Sequence, residues 1–222
     1  MSDSDLIENF RNDERINDDD VVAQIMEVVN RYYQEATITG VSGSCPYGHC
    51  KGDRFKVTSM NSDGLCGGMY QAIHSQIVTL HHGGELQWGK NPDSHSGICP
   101  EGVVSVDVKR VAKEDRSFFR TGTKTVDMTG KEFPGIDKYR IYLEVISIAN
   151  NCVWGHREGE RLELDAFNVG TCCGFMYRGI YHYINLLLSG GGLAWEGDKH
   201  IVHGCCPDPF NQLTYRLVRE ER

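Results

Sequence analysis

The chain has 222 residues, a net charge of -8 and a hydrophobic content of 40%, which is ordinary for a soluble globular protein. Binding to a nucleic-acid backbone or an anionic membrane requires clustered Lys and Arg, so this charge argues against both partners. The acidic N-terminus lacks the basic-then-apolar order of a signal peptide. The longest apolar-leaning stretch, 180–193, is too short and too polar to span a bilayer. We therefore expect a cytoplasmic protein.

The first half of the chain contains one predicted folding unit after an acidic start. Residues 1–35 form an acidic segment in which 18–33 carry the apolar pattern of an amphipathic helix. Residues 36–111 then predict two short strands, a helix, a Trp-containing loop and a last strand. The helix is indicated by apolar residues at helical spacing, and a Gly-Gly pair ends it. These residues are Met69, Ile73, Ile77 and Leu80.

The second half predicts the same order of elements. Residues 112–141 are polar and form a linker, and 142–222 form the second unit. Its helix carries the equivalent apolar residues Met176, Ile180, Ile184 and Leu187. The predicted fold class is therefore α+β: a tandem duplication of a small β-β-α-β unit, preceded by an N-terminal helix.

The duplication is visible as direct identity at an offset of 107 residues. Over the 56 positions 45–100, 20 residues are identical to those of 152–207 without a gap, far more than chance would give. The two copies act as a small alignment, because residues common to both are separated from those found in only one. Three cysteines have no cysteine at the offset: Cys50, Cys172 and Cys205.

Each copy retains three cysteines and one histidine, the ligand types that soft and borderline metals prefer. They are Cys45, His49, Cys66 and Cys99 in the first copy, and Cys152, His156, Cys173 and Cys206 in the second. Nine cysteines without a secretion signal favour metal ligation over a disulfide framework. We predict one Cys3His metal centre per unit. The alternative is that these are buried thiols or disulfides.

The ligand spacing bears on the identity of the metal. Structural zinc commonly uses paired Cys-x-x-Cys knuckles, whereas only Cys45 and His49 are close here and the remaining ligands are scattered singly. The last cysteine is followed by Pro, as in some ferredoxin cluster loops. These features favour a [4Fe-4S] cluster, with Zn2+ as the alternative.

The pattern Cys-x-x-Gly-His-x-x-Gly, then Gly-x-Cys, Gly-Gly, Trp and Cys-Pro-Asp-Pro resembles an uncharacterised family of small cysteine-rich bacterial proteins. The second copy matches well through Cys152 to Gly159, Trp195 and Cys205 to Pro209. The first copy departs from the pattern, with Cys-Pro-Glu-Gly at 99–102. Family members are frequent in anaerobes and usually hold one unit. The resemblance implies no established activity, but an anaerobic setting would favour iron–sulfur.

Three functions remain open from the sequence. The first is an iron–sulfur redox or accessory module, whose partner would be a larger enzyme subunit or a second copy of itself. The second is an enzyme with a site between the repeats, using histidines found in one copy only: His81, His82, His95, His182 and His203. The third is a structural zinc protein that binds other proteins. The chain has no nucleophile-elbow, phosphate-loop or dinucleotide motif.

Overall fold

A computed structural model describes residues 27, 30–89, 91–114, 126, 137–208 and 211–222. The described residues form two units with the same order of elements. The first unit comprises β1 (Tyr32–Val41), β2 (Arg54–Val57), α1 (Gly67–His81), β3 (Ser94–Ile98) and β4 (Val104–Ala112). The second unit comprises β5 (Tyr139–Ser147), β6 (Arg161–Leu164), α2 (Gly174–Leu188), β7 (Ile201–Cys205) and β8 (Thr214–Glu221).

Each unit is a four-stranded antiparallel sheet with one helix against it. The strand orders are β2-β1-β4-β3 and β6-β5-β8-β7, so the two sheets have the same topology. The registers also correspond, because Ala36 pairs with Phe55 in the first sheet and Leu143 pairs with Leu162 in the second. The predicted α+β class and a duplicated unit agree with this architecture.

The core of each unit lies between the helix and one face of the sheet. All eight apolar residues predicted for the inner faces of the helices are buried. On the strands the buried residues alternate, as in Val104, Val106 and Val108 of β4, because successive strand residues point to opposite faces. The helical spacing therefore identified the buried faces of α1 and α2 correctly.

The unit is β-β-α-β-β rather than the predicted β-β-α-β. The sequence interpretation placed a loop where β3 and β7 form the outer strands of the two sheets. The first strands also begin earlier than the predicted boundaries at 36 and 142, at Tyr32 and Tyr139. Tyr32 and Tyr33, assigned to the end of the N-terminal helix, belong to β1. Of the rest of that helix the structure describes only residues 27, 30 and 31, and most of the linker lies outside the described residues.

The last strands of the two units are offset by 109 residues, not 107. Ala36 pairs with Val108, whereas Leu143 pairs with Leu217, so two extra residues precede β8. The shifted register aligns Arg110 with Arg219. Each guanidinium donates a hydrogen bond to a carbonyl after its helix, at Gly84 and Gly191 respectively, each at 2.8 Å. A cation there complements the negative end of the helix dipole.

The two units pack together at the N-terminal ends of α1 and α2. The Gly67 N–H donates to the carbonyl of Phe167 at 2.6 Å, and the Gly174 N–H donates to the carbonyl of Met60 at 2.8 Å. The two bonds are equivalent at the 107-residue offset, so the interface is nearly two-fold symmetric. No helix in the described part of the chain is long and apolar enough to cross a membrane.

Candidate functional site

The first cysteine and the histidine of each unit lie on a tight turn between the first two strands. The Gly48 N–H donates to the Cys45 carbonyl at 2.9 Å, and the Gly155 N–H donates to the Cys152 carbonyl at the same distance. Both glycines have positive φ, 86° and 88°. This backbone conformation favours glycine, because a Cβ is strained there. The Cys-x-x-Gly-His pattern is thus a tight turn, closed by a backbone hydrogen bond and followed by the histidine.

The imidazole of each unit binds the backbone of the third cysteine. Nε2 of His49 accepts a hydrogen bond from the Cys66 N–H at 3.1 Å, and Nε2 of His156 accepts one from the Cys173 N–H at 3.2 Å. Both histidines are buried. An accepting Nε2 places the proton of the neutral ring on Nδ1.

The Nδ1 atoms face an acidic side chain four residues along the chain. In the second unit, Nδ1 of His156 lies 2.7 Å from Oε2 of Glu160. In the first unit, Nδ1 of His49 lies 3.9 Å from Oδ2 of Asp53. A carboxylate at Nδ1 fixes the tautomer and the ring orientation. Both nitrogens of His156 therefore contact protein groups in this arrangement.

The third cysteine is the N-cap residue of the helix. Cys66 and Cys173 precede α1 and α2 and have extended backbone angles. Burial raises the pKa of the Cys66 thiol to about 12, although the nearby backbone N–H groups of Met69 and Gly68 oppose the rise. Burial likewise raises the pKa of Cys173 to about 12. The helix end thus offers N–H donors to a sulfur that stays protonated unless a cation compensates its charge.

The fourth position shared by the two units is a cysteine that directly follows the third strand. The Val104 N–H lies 3.3 Å from Sγ of Cys99, and Nδ2 of Asn211 lies 3.6 Å from Sγ of Cys206. Burial raises the pKa of the Cys206 thiol, opposed by the Asp208 N–H and by Asn211. Nitrogen donors therefore point at the last sulfur of both units.

In the first unit the predicted residues line one small pocket that is partly open to solvent. Its remaining walls are mainly apolar, and one of them, Phe167, comes from the second unit. The lining residues are Cys45, Pro46, Tyr47, His49, Cys66, Met69, Cys99, Glu101, Val103, Val104 and Phe167. The fold thus brings three thiols, which lie in three separate segments of the chain, to one pocket.

In the second unit the thiols are also neighbours. Negative charge on Cys206 and Cys152 adds to the burial that raises the pKa of Cys173. Cys172, which replaces Leu65 of the first unit, is buried and its pKa is raised well above its usual value by burial and by the other three thiols. The second unit therefore has four cysteines in proximity where the first has three.

The thiols are near one another but are not arranged as a ligand shell. All nine cysteines are free, so the structure contains no disulfide bond that would support the alternative of a disulfide framework. Among the described residues, no group of three or more His, Cys, Asp or Glu side chains is arranged to hold a metal ion. The Cys3His ligand sets and the [4Fe-4S] or Zn2+ assignment therefore stay predictions.

The histidines found in one copy only are distributed over several environments. His81 is buried, and its Nδ1 lies 2.7 Å from Oγ of Ser59. His82 stacks beside His81, with ring centroids 5.4 Å apart. His203 is exposed and pairs with Glu196 at 3.0 Å. Burial lowers the pKa of His95 on β3. These contacts account for individual histidines without joining them into one site.

The sequence interpretation missed a buried histidine that lies at the interface between the units. His74 contacts the Ser59 carbonyl through Nε2 at 2.9 Å, and its ring meets Phe175 of the second unit edge-on at a centroid distance of 5.7 Å. Burial lowers the pKa of His74 to about 4. A signal was available, because His74 lies in helix α1 next to Ile73 of the predicted buried face and four residues after Tyr70, which both copies share.

Comparisons with known proteins add no identity. No family model matches the chain, and no curated protein and no solved structure matches it.

Proposed function

We propose that each unit binds one metal centre through its three shared cysteines, and that the centre is an iron–sulfur cluster. The observation that carries the proposal is the convergence of Cys45, Cys66 and Cys99 on one largely apolar pocket. These residues lie far apart in sequence, and the same pattern recurs in the second unit.

The surroundings of the sulfurs support a thiolate centre. Hydrogen bonds from N–H groups to sulfur tune the charge and potential of cluster ligands. Such donors approach Cys66 from Gly68 and Met69, and Cys99 from Val104. Three neighbouring thiolates would repel one another in an apolar pocket, and a bound cation removes that cost. When bound, the cluster would supply one-electron transfer.

The histidine takes a supporting role in this proposal. Because Nε2 of His156 accepts the Cys173 N–H and Nδ1 contacts Glu160, the ring is fully engaged in holding the third cysteine. We propose that His49 and His156 orient the backbone at Cys66 and Cys173, and that the thiols turn about χ1 toward the metal. Three protein ligands leave one metal position for an exogenous ligand, the arrangement that catalytic zinc sites also use.

The test is metal analysis and absorption spectroscopy on protein purified without oxygen. We expect iron and sulfide with broad absorption near 400 nm, halved in Cys173→Ser and unchanged in Cys50→Ser. Cys50 is a matched control because it is exposed and has no counterpart in the second unit. A colourless protein that contains zinc would show that the bound metal is zinc and not an iron–sulfur cluster. Protein that binds neither metal after reconstitution would refute the proposal.

The role of the histidine needs its own variant. His156→Gln retains an oxygen that can accept the Cys173 N–H, so it should retain metal in both units. Loss of metal from the second unit alone would instead identify His156 as a ligand. We further propose that the protein acts as an accessory module of a larger enzyme. Co-purification of a redox enzyme with this protein would support that prediction.

A further inference from the structure

Two buried tyrosines lie across the interface between the units, each against the helix that carries the other unit's third cysteine. Tyr70 of α1 and Tyr177 of α2 are fully buried. The Tyr70 hydroxyl donates to the Thr58 carbonyl at 2.8 Å, and the Tyr177 hydroxyl donates to the Asp165 carbonyl at 2.9 Å. These bonds fix each ring within its own unit and direct the hydroxyl at the neighbouring one.

The hydroxyl end of each ring occupies the space beside a glycine of the opposite unit. A Cβ at Gly67 would overlap the Tyr177 hydroxyl, and a Cβ at Gly174 would overlap the Tyr70 hydroxyl. Gly67 directly follows Cys66, and Gly174 directly follows Cys173. Each tyrosine therefore packs on the first helical residue after a predicted metal ligand.

One further contact and two pKa shifts agree with a position of each cysteine close to the opposite unit. Phe167 of the second unit lines the pocket of the first beside Cys66. Burial raises the pKa of Tyr70 well above its usual value, and charge on Cys173 and Cys172 adds to the rise. Burial likewise raises the pKa of Tyr177, and charge on Cys66 of the first unit is among the smaller causes of the rise.

Resting on the function proposed above, we infer that Tyr70 and Tyr177 are positioning residues that act across the interface. Tyr70 holds Cys173 for the centre of the second unit, and Tyr177 holds Cys66 for the centre of the first. Each centre is then built by both halves of the chain. A ligand must be held within about 0.5 Å of its productive position by the groups around it. The ring behind Gly67 or Gly174 limits the movement of the helix end that carries the sulfur.

The inference is tested with chains that retain a single centre, titrated with Co2+ alone and followed by its thiolate absorption. Cys152→Ser with Cys206→Ser leaves only the first centre, and Cys45→Ser with Cys99→Ser leaves only the second. Tyr70→Phe keeps the ring and removes the hydroxyl. We expect it to weaken Co2+ binding at the second centre by about tenfold, the lower end of effects for groups that support ligands. The first centre should change by less than about threefold.

Tyr177→Phe should give the crossed result, with the large loss at the first centre. A role limited to stability would lower both affinities together, and a role within one unit would lower the affinity of the centre beside the mutation. Either pattern overturns the inference. If neither single-centre chain binds Co2+ or reconstitutes a cluster before the tyrosines are changed, the proposed function itself has failed. Thermal unfolding of each variant confirms that the compared chains are folded.

Discussion

The two units share a fold but differ by one methylene at the carboxylate that faces the histidine. Glu160 reaches Nδ1 of His156 at 2.7 Å, whereas Asp53 stays 3.9 Å from Nδ1 of His49. Both carboxylates also accept a backbone N–H of the same turn, Asp53 from Cys50 at 2.8 Å and Glu160 from Arg157 at 3.3 Å, so the two units differ in the contact to Nδ1. The same backbone turn can therefore hold its imidazole by a strong or a weak acidic contact, and one side-chain carbon decides which.

A second difference lies beside the interface. In the first unit Ser59 contacts two buried histidines, His74 and His81. The equivalent positions of the second unit are Ala166, Tyr181 and Leu188, which need no such hydrogen bonds. A polar cluster and a largely apolar one thus occupy symmetric places. Only the first contains imidazoles, whose ordinary pKa lies in the mildly acidic range.

The largest effect is expected where the two units touch. Gly174→Ala would force a Cβ against the Tyr70 hydroxyl and to 2.8 Å from the Ser59 carbonyl, so we expect a loss of about 3 kcal/mol or more in the free energy of unfolding. Gly67→Ala meets a backbone oxygen at 3.1 Å and should cost somewhat less. Urea unfolding measures both.

Gly68→Ala is the matched control for these two variants. A Cβ there meets only ordinary contacts of 3.6 Å or longer, and alanine favours a helix. We expect no loss of stability. Equal losses at Gly67 and Gly68 would contradict the packing of Tyr177 on the helix end.

The next effect concerns pH and the polar cluster of the first unit. The folded pKa of His74 is about 4, because burial disfavours the charged ring, against about 6.5 in an unfolded chain. Between these values the unfolded chain binds the proton and the native state does not. The stability from neutral His74 is complete above about pH 6.5 and is lost as pH falls toward 4, by about 3 kcal/mol in total.

His74→Gln removes this titration and keeps an N–H donor for the Ser59 carbonyl. The measurement is the unfolding free energy of both proteins at pH 7.5 and pH 4.5. The wild type should lose more stability on acidification than the variant. Parallel pH curves for the two proteins would show that His74 titrates normally in the folded state.

A smaller effect is expected at the carboxylate that distinguishes the two units. Glu160→Gln keeps an acceptor for His156 but loses its charge, so we expect a loss of about 1 kcal/mol, and Asp53→Asn should cost less. Asp53→Glu should give the first unit the short contact and stabilise it slightly. Thermal unfolding ranks the three variants, and a larger loss in Asp53→Asn than in Glu160→Gln would reverse the comparison.

The smallest effect is expected at the extra thiol of the second unit. The first unit has Leu65 where the second has Cys172, so a centre common to both units does not need this sulfur. Cys172→Ser keeps a donor for the Cys173 carbonyl, which Sγ of Cys172 contacts at 3.5 Å. We expect unchanged metal content and a loss of about 1 kcal/mol or less. Loss of metal from the second unit alone would make Cys172 its fourth ligand.

Two kinds of feature could be predicted from the sequence: those set by the local residue pattern and those indicated by identity between the two copies. The helix faces follow from apolar spacing, and the grouping of Cys45, Cys66 and Cys99 follows from their identity at the offset. The third strand of each unit escaped prediction. In the first unit it reads Ser-His-Ser-Gly-Ile at 94–98, without the alternation of a strand with one buried face. Its place beside β4 comes from backbone pairing, which side-chain pattern does not encode.

The hydrogen bond made by the histidine could not be predicted from the sequence pattern either, and its role as a metal ligand stays a prediction. A histidine four residues from a cysteine is typical of a metal ligand, but the partner of His49 is the backbone N–H of a residue 17 positions away. Only the folded turn brings the two together. The interface could not be predicted for the same reason, since Gly67 and Tyr177 are 110 positions apart in the chain.

The near-symmetric interface has a consequence for how the chain assembles. Each half has one N–H and one carbonyl that form hydrogen bonds with the other half. The Gly67 N–H bonds to the Phe167 carbonyl, and the Gly174 N–H bonds to the Met60 carbonyl. A polypeptide with a single such unit would have to find these partners in another molecule, and its association would depend on concentration. Joining the halves in one chain makes that encounter intramolecular, at an effective concentration set by the connection between them. The duplicated chain is in this sense a tethered dimer, and duplication frees its two halves to diverge, as they have at Glu160 and His74.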